Sequence, residues 1–71
     1  MVDAFFMDIH IGKHIQKQMK EQGRSASWLA RQLCCDRTNI YKIYNKKSID
    51  TDVLQKISHL LGYNFFELYN N

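Results

Sequence analysis

Residues 29–44, LARQLCCDRTNIYKIY, constrain this chain more than any other stretch of it. Their apolar residues are spaced for two short helices, with Leu29, Ala30 and Leu33 before a break and Ile40, Ile43 and Tyr44 after it. The break itself, Cys34-Cys35-Asp36, suits neither helix, and Asp36 is a good N-cap for a fresh start. The chain therefore stops one helix and begins another within about three residues.

The same reading extends to both sides. Asp8 is the expected N-cap of a first helix in which Ile11, Ile15 and Met19 recur at four-residue spacing and Gly23 follows as the stop. Ser25 caps the second helix, about two turns long, whose apolar stripe adds Trp28 to Leu29, Ala30 and Leu33. The third spans about residues 36–44, with Arg37, Thr38, Tyr41 and Lys42 largely opposite its apolar side. Residues 45–49 are polar and basic, a loop. Asp50 or Thr51 caps a fourth helix with Val53, Leu54, Ile57, Leu60 and Leu61 on its core side, and Gly62 closes it. Asn64 caps a final turn or two carrying Phe65, Phe66, Leu68 and Tyr69. Nothing alternates with the period of a strand, so the expected fold is all-α, a compact bundle of five short helices.

With 71 residues there is room for one small domain and one function. We read residues 1–7 as a lead and residues 8–71 as the domain. Hydrophobic residues at 45% and charged residues at 24% are too apolar for a disordered tail. The longest apolar run, Ala4-Phe5-Phe6-Met7, can neither cross a bilayer nor serve as the core of a signal peptide, which points to a cytoplasmic protein with no membrane partner. Two adjacent cysteines fit neither a disulfide framework nor a zinc site and are read as small buried or half-buried hydrophobes.

The formal net charge is only +3, but it is unevenly spread. Residues 13–47 hold nine cations against Glu21 and Asp36, whereas the rest holds Lys56 against five acids. Such clustering suits a face that meets a polyanion; a solvated helical surface is the plain alternative.

Two short helices joined in this way form a helix-turn-helix, in which the first braces the second against the major groove of DNA. At this point the sequence resembles the Cro and lambda-repressor-like helix-turn-helix domains of bacteria and phages. The resemblance runs from about Ile11 to Tyr69. It rests on Leu29-Ala30, Leu33, Ile40, Ile43, the polar Asn45-Lys46-Lys47 and the closing DTDVLQKISHLLGYNFFELY. It implies a five-helix bundle that binds double-stranded DNA, commonly as a dimer, usually to regulate transcription. By position it implies base reading by Arg37, Thr38 and Lys42 with Tyr41 and Asn39 close by. It places phosphate contacts at Ser25 and Ala26 and at Asn45, Lys46 and Lys47. The family usually has glycine where Cys34 stands. A left-handed cysteine there would carry about 1 kcal/mol of strain, which leaves the shape of the turn open.

Arg37 is the strongest candidate for base readout, since a guanidinium can make two hydrogen bonds to guanine; an arginine touching only phosphate is the alternative. Lys42 suits a base or a phosphate. Tyr41 suits a thymine methyl or the edge of the core. Lys46 and Lys47 suit sequence-independent affinity. Trp28 is read as core. His10, His14 and His59 lack a third ligand for a metal, and no role is assigned to them. No nucleophile, base and orienting group form a set, so an enzyme is not expected; nor is a cofactor or a small-molecule ligand. The aromatic surplus of Phe65, Phe66 and Tyr69, with Phe5 and Phe6, suggests a homodimer interface, although completing the core is the preferred reading of Phe66 and Leu68. An antitoxin or other protein-interaction module with its aromatic end against a partner is the alternative function. An RNA-binding bundle is disfavoured because no aromatic-rich sheet or loop is present to stack bases.

Overall fold

The computed structural model describes residues 9–69. They form four α-helices, α1 (Ile11–Glu21), α2 (Ala26–Gln32), α3 (Arg37–Tyr44) and α4 (Thr51–Leu61), followed by a 3-10 helix (Phe65–Tyr69). The fifth element is thus a tighter turn than the α-helix expected, and no strand occurs among the described residues.

The four-residue spacing of α1 puts Ile11, Ile15 and Met19 on one buried stripe. α4 does the same with Leu54, Ile57 and Leu61. Leu29 and Ala30 from α2, Ile40 from α3 and Phe65 complete the core. Trp28, Leu33, Ile43, Tyr44, Val53 and Leu60 pack around it half-buried. α1 lies against α3 and the 3-10 helix, and α2 against α3. Gln22 Nε2 donates to the Leu61 carbonyl at 2.8 Å, tying the end of α1 to the end of α4.

α1 begins later than expected. Its N-cap is His10, whose Nδ1 accepts from the Lys13 N–H at 3.2 Å; the expected cap, Asp8, lies outside the described residues. The imidazole, to which no role was assigned, satisfies one of the helix's free first-turn amides. Ser25 caps α2 as expected, its Oγ accepting from the Trp28 N–H at 3.1 Å. Asp36 and Asp50 occupy the N-cap positions of α3 and α4, but neither side chain makes a capping hydrogen bond.

The closing segment corrects the expectation for the aromatic end. Side chains three apart in a 3-10 helix lie above one another. Phe65 and Leu68 therefore share the inner side, fully and half buried, while Phe66 and Tyr69 share the outer side at 37% and 43% exposure. Phe65 is core rather than interface, and Phe66 is surface rather than core. Asn64 Oδ1 fixes this register by accepting from the Phe66 N–H at 3.1 Å.

Candidate nucleic-acid interface

The junction between α2 and α3 is built by a specific helix closure. The Cys34 N–H donates to the Arg31 carbonyl at 3.2 Å and the Cys35 N–H to the Ala30 carbonyl at 2.9 Å. This paired closure needs a left-handed residue at its corner, and Cys34 supplies it with φ 56°. The chain makes the same closure at the ends of α1 and α4, with Gly23 at φ 68° and Gly62 at φ 63°. The turn therefore keeps the form glycine would give it, and the cysteine bears the strain. It follows that Cys34 is exposed, against the expectation of burial, while Cys35 is half-buried.

α3 is anchored by one side only. Ile40 is fully buried, with Ile43 and Tyr44 half-buried beside it, and Arg37, Thr38, Asn39, Tyr41 and Lys42 are all exposed. Tyr41, at 51% exposure, stands edge-on to Tyr44 with ring centroids 6.1 Å apart. Its ring is free of the core. Partial burial, together with the neighbouring Tyr41 hydroxyl, raises the pKa of Tyr44.

The far end of α3 is gripped by α1. The Ile11 N–H donates to the Lys47 carbonyl at 3.1 Å and the Gly12 N–H to the Lys46 carbonyl at 2.9 Å. The free amides of the first turn of α1 thus hold the backbone of the basic loop, leaving the Lys46 and Lys47 side chains exposed. Asn45 Nδ2 donates back to the Tyr41 carbonyl at 3.2 Å.

At the other junction, Arg24 stacks its guanidinium 4.4 Å from the centre of the Trp28 ring. Trp28 is half-buried, so it serves as both core and platform. All nine cations of residues 13–47 are exposed.

Residues 14–70 match the Cro/C1-type HTH DNA-binding domain. The chain belongs to that family. No curated protein and no solved structure matches it. In this Cro/C1-type domain, α2 and α3 are the two helices of the helix-turn-helix, and double-stranded DNA is the partner of the family. No described helix is long and apolar enough to cross a membrane.

The structure brings Arg37, Thr38, Asn39, Tyr41 and Lys42 together on α3, continuous with Asn45, Lys46 and Lys47 beyond its end. Ser25 and Ala26 lie apart, at the start of α2. Sequence reasoning missed three supports of the domain: the His10 cap, the Arg24–Trp28 stack and the close approach of Gly12 to α3. Only the second left a signal, a cation and an aromatic four apart; these face each other when the backbone between them turns into a helix.

Proposed function

We propose that the protein binds duplex DNA sequence-specifically and regulates transcription, with α3 in the major groove. The observation that carries this reading is the division of α3: Ile40 is sealed in the core while five polar or aromatic side chains on the same two turns face water. A major groove about 12 Å wide admits one such helix. Arg37, Thr38 and Lys42 read bases, with Asn39 and Tyr41 beside them. Ser25 and Ala26 at one end, and Asn45, Lys46 and Lys47 at the other, hold phosphates and set the register. The protein acts in the cytoplasm, where its DNA lies.

A second copy completes the reading. Phe66 and Tyr69, outward on the 3-10 helix, are the proposed contact of a homodimer, which would present two copies of α3 to a two-fold-related site. The same exposed pair also favours one competing reading, an antitoxin whose partner covers this end.

The test is an anisotropy titration of a mixed duplex library at two salt concentrations, with sequencing of the retained duplexes. The proposal expects salt-sensitive binding, enrichment of a two-fold-related motif, and loss of both in Arg37→Ala/Lys42→Ala. Equal behaviour of the variant and the wild type would remove α3 as the reading element. A toxin partner would instead bind the variant unchanged.

A further inference from the structure

Beside the outward face of α3 lies a groove of about 540 Å³. Its walls are α3 and the first turns of α4, joined by residues 45–50. Its apolar lining is Leu33, Cys35, Ile43, Ile49 and Val53, each only half-buried, so the fold leaves this floor partly wet. The volume lies within the roughly 300–1,000 Å³ of small-molecule sites. No such ligand is expected from the sequence, because the lining is scattered over residues 33–56 and only folding collects it.

The charged lining is one-sided. Lys42 and Lys46 stand on the α3 side and Lys56 on the α4 side, against a single acid, Asp50. Asn39 and Ser48 add uncharged hydrogen-bonding groups. Cations on both walls above an apolar floor match an occupant with an apolar body and a negatively charged head.

We propose that this groove binds a small amphipathic anion, an acyl or aromatic chain carrying a carboxylate, with the chain on the apolar floor and the carboxylate toward the lysines. Each methylene taken out of water favours binding, so the chain supplies most of the attraction. Charge-assisted hydrogen bonds from the exposed ammonium groups add little strength but fix which way the ligand lies. Asn39, Lys42 and Lys46 belong both to the groove and to the proposed DNA face, so the ligand and a duplex compete; that consequence rests on the DNA-reading function proposed above.

Octanoate is the probe, titrated into the isotope-labelled full-length protein and followed by amide chemical shifts, with octanol as its uncharged counterpart. The expected result is saturable shifts centred on Leu33, Ile43, Ile49 and Val53, with octanol bound several-fold more weakly. Octanoate should also bind several-fold more weakly to Lys56→Glu, a change at an exposed position whose effect on the fold is checked by circular dichroism melting. Shifts that never saturate, or that centre on Phe66 and Tyr69, overturn the site; equal binding of octanol and octanoate overturns the anion. Cys35 is a second reporter that needs no charge change: in Cys34→Ser protein, saturating octanoate is expected to slow its alkylation by iodoacetamide several-fold, and an unchanged rate overturns the site. Duplex titration supplies the other arm. Saturating octanoate is expected to weaken duplex binding several-fold in the wild type and less in Lys56→Glu. Groove binding with unchanged duplex affinity overturns the competition. Failure to bind any duplex without octanoate is a failure of the DNA reading, and the amide shifts still decide the groove.

Discussion

Gly12 of α1 lies directly against the carbonyl of Tyr44 at the end of α3. A Cβ built on Gly12 would stand 2.6 Å from the Tyr44 carbonyl carbon and closer still to the carbonyl oxygens of Ile43 and Tyr44. Those neighbours are backbone and cannot rotate away. The contact also lets the Gly12 N–H reach the Lys46 carbonyl. α1 can therefore hold the end of α3 and the basic loop only because residue 12 has no side chain.

Gly12→Ala is accordingly expected to push α1 from α3 and to destabilise the domain by about 2–3 kcal/mol, the upper range for overpacking. For a domain of this size that lowers the melting temperature by roughly 10 °C or more. Thermal melting followed by circular dichroism checks it; a fall of only a degree or two would show that the interface yields freely.

Cys34→Gly should act in the opposite direction. A left-handed L-residue costs about 1–2 kcal/mol, partly offset by the extra entropy glycine brings to the unfolded chain. A net gain of about 0.5 kcal/mol is expected, read as a higher urea midpoint at unchanged slope. Gly62→Ala, where the new Cβ would meet nothing within 4 Å, should lose about 1 kcal/mol through backbone strain alone.

On DNA, Arg37→Ala is expected to cost about 1–3 kcal/mol on the preferred duplex and to relax selection at one base position. Lys46→Ala/Lys47→Ala should weaken all duplexes alike and reduce the slope of log affinity against log salt by about 2. Anisotropy titrations over a salt series separate the two behaviours.

The aromatic end offers a paired test. Phe65→Ala removes a fully buried ring and should cost about 3–5 kcal/mol, enough to unfold much of the population. Phe66→Ser/Tyr69→Ser should leave the melting temperature nearly unchanged and, if these residues form the homodimer contact, yield a monomer in sedimentation where the wild type dimerises. A wild type that remains monomeric at high micromolar concentration would sink the standing dimer.

Tyr44 predicts an alkaline limit. Its folded pKa is raised above the usual 10.0, so below that value both folded and unfolded phenols are neutral and its contribution to stability is fully present. As pH rises beyond about 10, the unfolded phenol ionises first, and stability is lost progressively until the folded phenol follows. Urea midpoints from about pH 8 to about pH 11 should fall less steeply in Tyr44→Phe than in the wild type.

Local pattern made much of this domain legible. Ile11, Ile15 and Met19, like Leu54, Ile57 and Leu61, announced buried stripes because a helix brings every fourth residue to one side. Ser25 and Gly62 announced a start and a stop because one short side chain or one missing side chain suffices for each. The acidic caps were less readable. Asp36 and Asp50 hold the right positions, yet their carboxylates stay out of the cap, an outcome that depends on rotamer and solvent rather than residue type.

The sequence by itself determined the four helices, the break at residues 34–36 and the polar, basic character of the segment from Arg37 to Lys47, since each depends on neighbours within a turn or two. Tertiary structure alone decided which of Phe65 and Phe66 is core, because the 3-10 period is imposed by docking on α1 and α4. It alone decided that Cys34 endures a positive φ, because packing between α2 and α3 holds the turn that a cysteine would not adopt unaided. It alone gave Gly12 its purpose, because the atoms that exclude a side chain there belong to residues more than thirty positions away.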